Sequence, residues 1–280
     1  MKFRIIVLFL LLFPLSTYGE DIEVTIYVDD AYMPFSYQTD NQAKGMYIDV
    51  LKRAFAKMDG FQVTMKPAPW KRCKYLIESG YGFGLAPAFF HGHDWPYLYP
   101  YSLPFYTESI IAVCNAAILK QRRPKWPEDY KGLKIGNVTG FDGWGGDKFR
   151  IMVKDGRIDY FELNGSKKII EMLLRKKCDC IMMENRAFDF EMKRMKTEGI
   201  YDLRTGNYLT KRGNYKKTFH TKLKKGAFIG TDPVYIGYSE PAIKKGKYPY
   251  AYTFQKQFDV IIYEMIKSGE IDIIMDAYQE

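Results

Sequence analysis

The chain has 280 residues, a formal charge of +9, 16% aromatic residues and 27% charged ones. That balance excludes a disordered chain, and the length exceeds what one core usually organises, so two domains or lobes are expected. The basic excess would suit a nucleic-acid binder. Its cations, however, sit in separate short groups ("KRCK", "KQRRPK", "LRKK", "TKLKKG") and not in one repeated stripe, so the expectation is a solvated basic surface and no nucleic acid.

The N-terminus points to export. Lys2 and Arg4 precede an apolar run from Ile5 to Leu15, and Thr17 and Gly19 hold the small-residue places of a cleavage site. Residues 1–19 are read as a secretory signal peptide, with an uncleaved anchor as the alternative. No cysteine follows the run, so no lipid attachment is expected. Removing it leaves 261 residues (280 minus 19) from Glu20, with a charge of +7. No later stretch has the length and apolarity of a span, and the expectation is a soluble periplasmic monomer without stable membrane insertion.

Two periodicities then alternate. "IEVTIYV" from Ile22 predicts a strand, and Tyr47, Val50, Leu51, Ala54, Phe55 and Met58 share one helical face. "FQVTMKP" predicts a strand and "PWKRCKYLIESG" a helix between Pro69 and Gly80. "GFGLAPAFF" and "SIIAVCN" (Ser109 to Asn115) read as further strands. The pattern restarts with strand "YKGLKIGNVTG", a helix over Trp144 to Val153, strand "IDYFEL", helix "SKKIIEMLLRKK", strand "CDCIMME" and helix "NRAFDFEMKRMKTEG". "AFIGTDPVYIGYS" predicts a return strand, and Phe254, Phe258, Ile261, Ile262, Met265 and Ile266 give a last amphipathic helix. Strand–helix alternation in both halves defines an α/β architecture with mainly parallel sheets.

Cys73, Cys114, Cys178 and Cys180 allow three disulfide pairings in an oxidising compartment, and the residues leave the choice open. Cys178 and Cys180 would share one side of a strand; without a second close pair they do not form a zinc pattern. His91 and His93 with Asp94 have metal-ligand chemistry but no third imidazole nearby, so no metal is expected.

The order of these pieces resembles the bacterial extracellular solute-binding proteins of family 3. "YVDDAYMPFSY…KGMYIDVLKRA", "PAPWKRCKYLIESG", "YSLPFY", "GLKIGNVTG", "CDCIMMENRAF" and "FDVIIYEMIKSGEIDIIMDAY" carry the resemblance across the mature chain. It implies a two-lobed periplasmic-binding-protein fold with crossover strands near Ile110 to Asn115 and Phe228 to Tyr238. Lobe one would hold 20–110 and 237–280, and lobe two 111–236, closing like a hinged clam on a small molecule. The implied partner is an ABC permease, and no cofactor is expected.

The resemblance also locates candidate ligand-binding residues. The arginine that grips a ligand carboxylate would stand seven residues before Ser102, where this chain has Trp95. The family's small hydroxyl residues fall on Pro87, Ala88 and Phe90, and Arg72 belongs to a different helix. Glu184 matches the acid that receives an ammonium group, with a solvated strand-end acid as the alternative. Asp29 matches the acid ahead of the stacking aromatic, Tyr32. Asp142 replaces the usual threonine of the second-lobe glycine turn, or is an ordinary helix cap. Acids with Tyr32, Trp70, Phe90 and Trp95, and no arginine, favour a cationic or neutral ligand over a simple α-amino acid. His91, His93 and His220 enter no nucleophile–base arrangement, and the chain leaves no room for a second catalytic domain. The expectation is therefore a receptor and not an enzyme, with a ligand-sensing partner protein or an enzyme adapted from the same fold as alternatives.

Overall fold

A computed structural model describes residues 20–90, 95–141, 144–212 and 215–278, with backbone only for 211, 212, 215 and 216. The signal segment 1–19, His91, His93, Asp94 and Asp142 lie outside the described residues.

Alternating apolar residues form β1 (Ile22–Asp29), with Val24, Ile26 and Val28 turned to the core. A small meander follows, β2 (Ala31–Tyr32), β3 (Ser36–Thr39) and β4 (Gln42–Lys44). Its β3–β4 turn is Asp40–Asn41, both at positive φ (52° and 61°), between the paired Thr39 and Gln42. This is the two-residue hairpin turn that short polar residues tolerate. Helix α1 (Met46–Phe55) starts after Gly45, whose φ is +123° and where a Cβ would lie 2.4 Å from the Phe35 carbonyl oxygen. Only glycine fits there.

Strand β5 (Phe61–Ala68), helix α2 (Trp70–Glu78), β6 (Gly84–Ala88) and β7 (Leu98–Tyr101) complete the first half. The long β8 (Tyr106–Asn115) leads into β9 (Lys134–Val138), α3 (Gly146–Lys154), β10 (Asp159–Leu163), α4 (Ser166–Leu174), β11 (Cys180–Glu184) and α5 (Asn185–Thr197). A second small sheet comprises β12 (Tyr201–Asp202), β13 (Asn207–Arg212) and β14 (Tyr215–His220). The chain returns along β15 (Leu223–Ser239) into α6 (Glu240–Lys244), α7 (Ala251–Lys267) and α8 (Glu270–Asp276).

One nine-stranded sheet runs through both halves in the order β10-β9-β11-β8-β15-β6-β1-β5, with β7 also pairing β15. The pairs β1–β5, β1–β6, β9–β10 and β9–β11 are parallel, as the strand–helix alternation requires. The seam is antiparallel: β8 pairs β15 from Asn115↔Leu223 to Tyr106↔Val234, with register shifts flanking Phe228. The predicted crossovers are thus neighbours that fuse the two parallel halves into one sheet. In the first half, Phe254 of α7 packs against Phe55, Phe61, Phe83 and Tyr238.

Cys114 and Cys180 stand directly opposite each other on the antiparallel β8–β11 pair and form a disulfide with Cα atoms 4.0 Å apart. Cys73 and Cys178 are buried free thiols. Cys178 lies in the turn before β11 and shares no disulfide with Cys180, despite their close spacing.

Candidate functional site

Parallel strands leave backbone groups and loops together at their carboxyl ends, where α/β folds bind ligands. In the first half those ends belong to β1 and β5. Asp29 is paired with Ala68, and the Asp30 N–H donates to the Ala68 carbonyl at 3.2 Å. This sets Asp29 and Asp30 beside Pro69 and Trp70, the residues that open α2. In the second half β9 and β10 end at Val138 and Leu163, and the Thr139 N–H donates to the Leu163 carbonyl at 3.0 Å. Thr139, Gly140 and Phe141 therefore stand next to Asn164 and Gly165.

The two sets face each other across a cavity of about 310 Å³. Asp29, Asp30, Trp70 and Lys71 line one side, and Thr139, Phe141, Asn164 and Gly165 the other. At its edge the halves touch. The Tyr32 and Phe141 ring centroids are 4.8 Å apart, and Phe141 stacks on Trp144 at 4.9 Å. A Cβ at Gly140 (φ +91°) would come within 3.3 Å of Trp70 Cδ1.

Of the residues anticipated from sequence, Asp29 and Trp70 line this cavity, and Tyr32 stands at its edge. Trp95 is 3% exposed and meets Trp70 edge-on at 5.9 Å, with Lys74 Nζ 5.0 Å from its ring centre. It supports Trp70 from behind and is not part of the wall. Phe90 is 64% exposed, with its ring against Tyr101, outside the residues lining the cavity. Glu184 is 1% exposed, and its carboxylate accepts the Ala187 N–H at 2.7 Å, capping α5. It serves the helix and is not among the residues lining the cavity. Asp142 lies outside the described residues, two positions from Gly140.

Burial dominates the electrostatics. It pushes Asp29 up to about 7, against the hydrogen bond from the Ala31 N–H and with help from neighbouring Asp30. Glu184 is also raised to about 7 by burial, although backbone N–H groups of Ala187, Ser109 and Arg186 oppose the shift. Sequence reasoning missed Glu108, which is fully buried at the start of the seam. Its Oε1 accepts the hydroxyls of Tyr32 at 3.0 Å and Tyr47 at 2.8 Å, while Oε2 has no hydrogen-bond partner among the described residues. Burial and the nearby Glu184 hold its carboxyl well above the usual range. The available signal was a lone glutamate opening an apolar strand. Asp30 and Lys71, adjacent to anticipated residues, were also missed. Among the described residues no group of three or more His, Cys, Asp or Glu is arranged to hold a metal ion.

The fold and this interlobe cavity define a two-lobed periplasmic-binding-protein architecture. No protein-family model matches the chain, and no curated protein matches it by sequence. Solved structures do match. The chain is similar to a structure from work on glutathione import through GshT and the cystine ABC importer TcyBC of Streptococcus mutans. There the identity is 16% and the TM-score 0.66, over 92% of this chain and 95% of that one. A histidine kinase sensor domain with similarity to periplasmic binding proteins matches at 13% identity and TM-score 0.65, covering 92% and 96%. A mutant of ArgBP from T. maritima matches at 12% identity and TM-score 0.62, covering 91% and 94%. At such identities the likeness concerns the fold. Among the described residues no helix is long and apolar enough to cross a membrane.

Proposed function

We propose that this protein is a periplasmic solute-binding receptor, a divergent relative of the family 3 proteins, delivering a small polar ligand to an ABC-type importer. The observation that carries the reading is the cavity of about 310 Å³ lined from both halves at the carboxyl ends of parallel strands. Trp70 offers a stacking face, Asp29 and Asp30 offer carboxylates, and Lys71, Thr139 and Asn164 offer polar partners. No arginine is among the lining residues. That composition suits a cationic or neutral ring compound or amine better than an acidic amino acid. Export through residues 1–19 and closure of lobe 111–236 on lobe 20–110 with 237–280 belong to the same proposal. The ligand-binding set is Asp29, Tyr32 and Trp70 in the first lobe, joined by Asp142, whose place in the sequence is the glycine turn of the second lobe. Trp95 supports Trp70 from behind.

Calorimetric titration against panels of amines, ring compounds and amino acids tests it, alongside mass spectrometry of any molecule retained through purification. Binding of an amine or a neutral ring compound is expected. Tight binding of glutamate or aspartate with no response to amines would overturn the ligand class. Likeness to a histidine kinase sensor domain favours one second reading, in which the same cleft reports ligand to a signalling partner. Loss of uptake on deletion of the gene supports import, whereas loss of a transcriptional response with uptake intact supports sensing.

A further inference from the structure

Basic groups that are scattered in the sequence converge at one end of the folded chain. In the second half, the strand ends opposite the cavity are the entries to β9, β11 and β15 and the exit from β8. Main-chain bonds tie them together. The Ala116 N–H donates to the Lys222 carbonyl at 2.8 Å, Asn115 Nδ2 donates to the Cys178 carbonyl at 3.2 Å, and the Gly132 N–H donates to the Arg157 carbonyl at 2.8 Å. Thr221 Oγ1 donates to the Leu174 carbonyl at 2.8 Å, drawing the end of α4 to the start of β15. Four segments, 120–125, 131–134, 175–177 and 222–225, thereby meet at one pole.

Arg122, Lys131, Lys176, Lys177, Lys222 and Lys224 are exposed there and form no ion pair among the described residues. The acids at this end are already engaged. Asp129 accepts the Lys125 N–H, Asp155 pairs with Arg157, and Asp179 accepts the Lys134 N–H. The charge is also concentrated along the chain. From Leu203 to Thr231 there are eight cations (Arg204, Lys211, Arg212, Lys216, Lys217, Lys222, Lys224 and Lys225) and no acid, against a total of +9.

We propose that this pole is a peripheral docking surface for an anionic phospholipid bilayer. Most of its free cations are lysines, which act as point charges without a fixed fork geometry, and they are spread over strand-entry turns instead of lining a groove. Such a pattern matches a laterally averaged sheet of headgroup phosphates better than one shaped acidic partner. The five-residue strand β9 separates the pole from the cavity by about 15 Å, so a docked molecule keeps its cleft turned away from the surface.

The test is co-sedimentation of the full chain, as produced in cells, with vesicles of phosphatidylcholine alone or with about one third phosphatidylglycerol. Expected are binding to the anionic vesicles only, release at about 0.5 M salt, and a loss of about tenfold or more in K176E/K177E/K222E/K224E. The milder variant with glutamine at the same four positions should lose part of the binding and, like the reversal, keep the wild-type near-ultraviolet dichroism. A matched reversal in the other half, K66E/K245E/K256E/K267E, should retain it. Equal binding to neutral vesicles, indifference to salt, or equal loss in the matched control would overturn the proposal. So would failure to bind anionic vesicles while an acidic protein is captured through the same lysines.

Discussion

Tyr32 and Phe141, 109 positions apart, hold their ring centroids 4.8 Å from each other and so join the meander after β1 to the turn after β9. The same tyrosine donates its hydroxyl to Glu108 on the seam. One side chain thus links the ring contact between the two halves to the strands that connect them.

Removing the ring at position 141 tests that link. Phe141→Ala takes away the contact with Tyr32 and the stack on Trp144, while Val138 and Thr139 keep the strand end. An aromatic pair contributes about 0.5–1.5 kcal/mol beyond its buried area, enough to shift a closed–open equilibrium several-fold. Small-angle scattering of the variant should give a larger radius of gyration than wild type. An unchanged radius would mean that the contact does not hold the cleft.

Trp70 and Trp95 should separate by role. Trp70→Ala removes a wall of the cavity and should weaken binding of the ligand identified by mass spectrometry about tenfold or more. Trp95→Phe keeps an aromatic support behind Trp70 and should change affinity about threefold or less. Equal losses in both, read by calorimetry, would place Trp95 in direct contact with ligand.

Stability should fall as pH rises through neutrality. Asp29 and Glu184 have folded-state values of about 7, above the ordinary carboxylate range. The folded chain therefore holds protons that the unfolded chain has released. The resulting stabilisation is full below the unfolded values near 4 and is lost as pH climbs toward and past about 7. Asp29→Asn keeps an acceptor for the Ala31 N–H and cannot ionise. It should raise the melting temperature at pH 8 and leave it nearly unchanged at pH 4, as followed by thermal melts across pH.

The disulfide should be structural. Cys114 and Cys180 close a loop of 66 positions, for which chain-entropy arguments give about 4 kcal/mol. The double serine variant should lose roughly 2–4 kcal/mol in denaturant unfolding. Thiol labelling of the wild type should find Cys73 and Cys178 only after unfolding, since both are buried and burial pushes the Cys178 thiol up to about 12.

The two parallel halves were legible because helix and strand periods alternate cleanly, as in Val50–Leu51–Ala54 and Val24–Ile26–Val28. The meander β2–β4 and the hairpin β12–β14 were not. Their strands are two to six residues long and mix polar with apolar positions, so their pairing depends on turns, of which the sequence carries only short clues such as Asp40–Asn41. The disulfide partner of Cys180 was invisible for another reason. It depends on β8 and β11 lying side by side, a tertiary fact, whereas spacing drew attention to Cys178. The site followed the same rule. Asp29 and Trp70 fell at strand ends that the pattern locates, while Glu108 matters only because folding brings Tyr32 and Tyr47 to it.

The seam is fastened unevenly along its length. Cys114 and Cys180 rivet β8 to β11 at the far end of the second half, so that end of the strand cannot serve as a pivot. Any rotation of one half against the other is expected near Thr107 to Ser109 and the facing Thr231 to Pro233, the stretch of the seam farthest from that bond. Glu108 stands in the middle of that stretch, tethered to two tyrosines of the first half. The seam is thus held by a covalent bond at one end and by two hydroxyl hydrogen bonds at the other, and an opening movement would be expected to break the hydrogen bonds first.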